Sequence, residues 1–143
     1  MSRTKLALKI LLGVAMIGVG ILHFVRPEGF VKIVPSYLPS PLALVYVSGF
    51  FEMLGGAGIL IERTRRIAGL GLIALYVAVF PANINMAVND IQPSNMHIPE
   101  PLLWLRLPLQ LALIWWAWSC TLPARRVATR KIDRSGDAAA PSA

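Results

Sequence analysis

Six polar side chains, His23, Glu52, Asn83, Asn85, Arg106 and Gln110, stand inside or at the ends of long apolar runs. They are the residues that could do chemistry. A carboxylate, an imidazole and a guanidinium offer charge and exchangeable protons, and the three amides donate and accept hydrogen bonds at once. An unpaired Glu or Arg at membrane depth costs about 2.5 to 3.5 kcal/mol on insertion scales, so such groups turn toward one another or toward a cavity. A Glu52–Arg106 ion pair is the expected centre of the cluster, with His23, Asn83, Asn85 and Gln110 satisfying what remains. The set reads either as a ligand pocket or as a network that only fixes helix register.

Other candidate chemistry is thin. No Cys, His or carboxylate spacing matches a metal site, so no metal is expected. His97 has no partner at ligand spacing and is expected in solvent. The one cysteine, Cys120, cannot form an intramolecular disulfide, which excludes a self-contained dithiol relay. A small apolar filler is its expected role. Gly55, Gly56 and Gly58 lack the strand and lysine of a phosphate loop.

The elements that must position these residues follow from composition. The chain has 143 residues, room for one domain, with 56% apolar and only 15% charged residues. A soluble domain carries about 25% charged residues. The missing charges leave four apolar stretches of about 20 residues, each long enough to span a hydrocarbon core. A soluble globular enzyme is excluded. The expected fold is all-α: an integral membrane four-helix bundle with spans near residues 6–25, 42–61, 67–88 and 102–122. The first span resembles a signal peptide at its start, but no small-residue cleavage site follows, so it is expected to be retained. Residues 1–124 form the transmembrane domain, and 125–143 are expected to be a basic, disordered tail. Four prolines break residues 26–41 into a loop, within which Phe30, Val31, Ile33, Val34 and Tyr37 suit a short interfacial piece. The turn at 62–66 permits only antiparallel neighbours.

Charge sets the orientation. Arg3 and Lys5, the three arginines of the 62–66 turn, and Arg125, Arg126, Arg130, Lys131 and Arg134 lie on one side, against Arg26 and Lys32 on the other. The positive-inside rule then expects both termini in the cytoplasm. The formal charge of +7 is read as topology and lipid contact, not as a nucleic-acid surface. Counting along each span puts Glu52 near the midplane and the other five polar residues in the outer half. Lys9 is expected to snorkel to the inner surface.

Helical stripes agree with a bundle. Lys9, Gly13, Met16, Gly20 and His23 share one face of the first span, and Ser48, Glu52, Gly55 and Gly56 one face of the second. Ala74, Ala78, Ala82 and Asn85 form a small-residue ridge in the third, expected to pack closely on a neighbour. Pro81 and Pro108 free the carbonyls of Val77 and Trp104 beside the polar cluster.

Several stretches together resemble the DoxX family of small bacterial four-helix membrane proteins. They are G-I-L-H-F-V-R-P-E-G-F around His23, I-V-P-S-Y-L-P after it, S-G-F-F-E-M-L-G-G around Glu52, R-T-R-R-I-A-G-L-G, F-P-A-N-I-N-M-A at 80–87, and W-L-R-L-P-L-Q at 104–110. The resemblance spans roughly residues 10–120. It implies the bacterial inner membrane, a place beside quinone-linked thiosulfate oxidation, thiol homeostasis or aromatic catabolism, and a protein partner or homo-oligomer. It also marks His23, Glu52, Asn83, Arg106 and Gln110 as motif positions.

Three functions are compatible with these residues. In the first, the protein is an accessory or redox-associated subunit whose outer-half pocket holds a small amphipathic molecule such as quinone. Arg106, Gln110, Asn83 and His23 would then donate hydrogen bonds to its carbonyls. Electrons would come from a partner, since the sequence holds no haem, iron–sulfur or flavin motif, and no independent catalytic activity is expected. In the second, Glu52 is the coupling carboxylate of a small proton-coupled transporter. In the third, the chain is a membrane scaffold without a ligand.

Overall fold

A computed structural model describes residues 3–93 and 97–121. The expected basic tail and the end of the fourth span lie outside those residues. Within them the protein is all-helical: α1 (Arg3–Val25), α2 (Pro27–Ile33), α3 (Pro41–Leu60), α4 (Arg65–Val88) and α5 (Glu100–Thr121). Three helices, α1, α3 and α4, are long and apolar enough to cross a membrane. Helix α5 matches them in length but carries Arg106, Pro108, Gln110 and all four tryptophans, which lower its mean hydropathy.

The outward faces are apolar. Leu11 is 57% exposed, Val77 60% and Trp115 71%. Side chains of that size facing outward along whole helices are what a lipid-facing surface presents, since lipid is as apolar as they are.

Without a hydrophobic drive between helices, close backbone approach must hold them together, and α1 and α3 supply it with glycine. A Cβ at Gly20 would lie 2.6 Å from the Gly49 carbonyl oxygen, and one at Gly49 would lie 2.9 Å from that of Gly20. Gly13 and Gly56 repeat the arrangement at 2.9 and 2.6 Å. The two pairs are seven residues apart on each helix and run in opposite senses, so α1 and α3 are antiparallel. The buried face of α1 runs through Lys9, Leu12, Gly13, Met16, Gly20 and His23, as the stripe predicts. Lys9 lies on that stripe and is 8% exposed.

Between α3 and α4 the chain reverses in four residues, and the Thr64 hydroxyl donates to the Gly58 carbonyl at 2.9 Å to close the turn. Helix α4 then packs on both α3 and α5, while α1 and α5 barely touch. The helices are thus arrayed α1–α3–α4–α5. Leu12, Met16, Ile59, Leu72, Tyr76 and Ala117 form the main core. Cys120 is half-buried and packs against it, as a small filler would.

The alanine ridge of α4 is a correction. Ala74 and Ala78 are exposed, and the buried face runs instead through Gly69, Leu72 and Tyr76. Gly69 brings α4 against Thr121 and the Ala117 carbonyl of α5, and Gly55 of α3 admits Leu72. The tight approaches on α4 use glycine, which leaves its alanines for another surface.

Helix α2 begins with Pro27 at its first turn, where a missing N–H costs nothing. It does more than lie at an interface. Ile33 is buried and joins Met86 and Leu103 in a second, smaller core. Gly29 lets α2 meet the Pro93 carbonyl, from which a Cβ there would be only 2.6 Å. The short helix therefore caps one end of the longer ones.

Candidate functional site

The six polar residues do not form one cluster. They divide into a buried pair, two interhelical clamps and one exposed cation, and the geometry of each helix explains the division.

Glu52 finds His23, not Arg106. Both residues of the pair are buried, at 7% and 6% exposure, and Glu52 Oε2 lies 3.2 Å from His23 Nδ1. The expected Glu52–Arg106 ion pair is absent among the described residues, and Arg106 is exposed. The buried stripe of α5 passes through Leu103, Gln110, Ala117 and Thr121, and Arg106 falls to its side. His23 and Glu52 lie one helical turn to either side of the Gly20–Gly49 contact, and each side chain leans toward the N-terminus of its own helix, so the two meet across the close approach. A Cβ on Gly49 would stand 2.5 Å from that of His23, so this glycine also makes room for the imidazole.

Gln110 and Asn83 make the first clamp. Gln110 Nε2 donates to the Tyr76 carbonyl at 2.6 Å, and Asn83 Nδ2 donates to Gln110 Oε1. This joins α5 to α4 beside Pro81, at the carbonyl one residue before the one that the proline frees. Tyr76 also donates its hydroxyl to the Met16 sulfur of α1, so one residue ties three helices. Neither Tyr76 nor Met16 stood among the candidate residues, although a tyrosine mid-span needs a partner for its hydroxyl. Gln110→Leu should lower stability by about 1–2 kcal/mol, because it strands the Asn83 amide and removes a donor from the Tyr76 carbonyl. Unfolding in mixed micelles, compared with wild type, measures this.

Asn85 makes the second clamp. Its Nδ2 donates to the Ile33 carbonyl at 2.9 Å and holds the end of α2 against α4. Two residues apart on a helix means about 200° of rotation, so Asn83 and Asn85 cannot face one site. One faces α5 and the other α2.

Beneath α2 lies a pocket of about 320 Å³, at the small end of the range for ligand sites. His23 closes its polar end, and the ring stacks on Phe30 of α2 at 3.8 Å. Ala78 and Ala82 form part of the wall, which is where the α4 ridge went: its small side chains leave space instead of filling it. Among the lining residues only His23 and Ser48 carry polar side chains. Leu44 and Val47 line the cavity and are themselves 39% and 52% exposed, so its rim is apolar. Asn83, Asn85, Arg106 and Gln110 do not line it. His97 is exposed, as expected.

At the polar end, two hydrogens go to backbone carbonyls. His23 Nδ1 is 2.9 Å from the Val19 carbonyl, which can only accept, so Nδ1 carries a hydrogen. That hydrogen is directed at Val19, and Glu52 Oε2, although close to the same nitrogen, has no aligned hydrogen bond among the described residues. The Ser48 hydroxyl donates to the Val45 carbonyl at 2.9 Å.

Fold and site together define an all-helical protein with three helices fit to cross a membrane and a buried His–Glu pair behind an apolar pocket. The chain belongs to the family described as Domain of unknown function (DUF8561), whose model matches residues 12–121 and so includes every residue of the pocket. No curated protein and no solved structure matches it.

Proposed function

We propose that this protein is a four-span helical bundle of the bacterial cytoplasmic membrane, with both termini inside. In this reading it holds a small amphipathic molecule in the pocket between α2, α3 and α4. The Lys and Arg asymmetry supports the orientation, and the resemblance to DoxX proteins supports the membrane and an accessory, redox-associated role beside a protein partner. The observation that carries the ligand reading is the pocket itself. A single polar end, His23 backed by Glu52, faces a cavity whose rim side chains are apolar and exposed, so a molecule dissolved in the bilayer would enter from the side.

A quinone-type ring with a short apolar arm suits such a space. This chain would supply binding, orientation and exclusion of water, and electrons would pass through a partner. Of the four donors expected for quinone carbonyls, Arg106, Gln110 and Asn83 do not line the pocket, and His23, which does, directs its Nδ1 hydrogen at Val19.

Thermal unfolding of the detergent-purified protein, scanned against quinones, hydroquinones, small thiols, sulfur oxyanions and aromatic acids, tests the reading. A ligand present at 100 times its Kd adds about 2.7 kcal/mol to the native state, a visible shift. Stabilisation by ring compounds is the expected result. No shift from any compound would favour a scaffold instead.

A further inference from the structure

We infer that the polar end of this pocket accepts hydrogen bonds and does not donate them, so that its ligand carries a hydroxyl: a phenol or hydroquinone head on an apolar body. The inference rests on the ligand reading above and names the chemical class that the pocket selects.

The argument is one of counting hydrogens. Among the lining residues two polar side chains, His23 and Ser48, face this space. The Ser48 hydroxyl has one hydrogen, and Val45 takes it, which leaves lone pairs on Oγ. His23 commits the Nδ1 hydrogen to Val19, and in the neutral ring the other nitrogen, Nε2, then has a lone pair and no hydrogen. Glu52 Oε2, 3.2 Å from Nδ1, is a second acceptor on that same side of the ring. Turning the ring over to present Nδ1 to the cavity would break the hydrogen bond to Val19, and Phe30, stacked on the imidazole, holds the ring plane.

A ketone oxygen brought to this end would meet two sets of lone pairs. A hydroxyl would meet two acceptors. The rest of the wall is apolar and discriminates between the two by shape alone, so the head group decides. A polar group buried without a partner loses its hydration and gains nothing for it.

The test compares three probes that share one ring and one decyl arm: a decyl-substituted hydroquinone, its dimethyl ether and the matching benzoquinone. Each is titrated by calorimetry under argon into the full-length protein in lipid nanodiscs. The hydroquinone should bind at least about tenfold more tightly than either of the others. In the double variant His23→Phe, Ser48→Ala the three affinities should converge to within about twofold. Equal affinity of all three for the wild type, or preference for the benzoquinone, overturns the inference while leaving the pocket as a binding site. If none of the three binds, the ligand reading fails with it. The wild-type series decides the matter even if the double variant does not fold.

Discussion

Replacing Gly49 by leucine should cost about 3 kcal/mol or more and separate α1 from α3. Its added Cβ would stand 2.5 Å from the His23 Cβ and 2.9 Å from the Gly20 carbonyl oxygen, and neither atom is the free end of a flexible chain. Overpacking a core that can adjust costs about 1–3 kcal/mol. Here the obstacle is backbone and the first carbon of a buried ring, so the helices must move apart. Gly18 on α1 is the control, because nothing lies within 4 Å of a Cβ built there. Gly18→Leu should leave stability unchanged within about 0.5 kcal/mol. Thermal melts of the two variants side by side read the difference. Equal melting temperatures would mean that the two glycine pairs do not hold the helices. The His23–Glu52 pair should suffer with Gly49→Leu, since that residue sets the space in which the imidazole sits.

The second large effect concerns the pocket. Ala82→Phe should abolish ligand binding, with an affinity loss of at least a hundredfold, while the protein still folds. Ala82 lines the cavity from α4 and is half-buried, so a phenyl ring added there has about 320 Å³ of open space to enter. Filling a void does not incur the strain of overpacking, and restores contacts that the lining side chains lack. Melting temperature and affinity are measured on the same preparation. Retained affinity in a well-folded Ala82→Phe protein would place the ligand elsewhere. A fall in both quantities would indicate instead that Ala82 packs tightly against Met86 and Leu103, the core it borders.

These two predictions differ in how far the sequence alone leads toward them. Gly13, Gly20 and Gly56 lie on stripes that a period of 3.6 makes visible, and the close approach of α1 and α3 follows from their size. Gly49 belongs to the same seam, but stands beside Ser48 in the chain and adds nothing to the three-and-four spacing already satisfied by Ser48 and Glu52. The pocket is less legible still. Its alanines have the spacing of a packing ridge, and a row of small side chains looks the same whether a neighbour approaches it or leaves a gap.

What the sequence by itself determined is the set of long helices, the burial of the α1 and α3 stripes, and which polar residues stand within apolar runs. Each depends on periodicity and hydropathy along one helix, which are local quantities. Tertiary structure decided the partners. Depth counted along a helix axis brings Glu52 within reach of Arg106 but leaves the rotation of α5 open, and that rotation turns Arg106 outward and Gln110 inward. The folding back of α2 set Phe30 on His23 and covered the cavity, through the contacts of Gly29 with Pro93 and of the Ile33 carbonyl with Asn85 near the end of α4. Those contacts join residues more than fifty positions apart, and no pattern within either segment specifies the other.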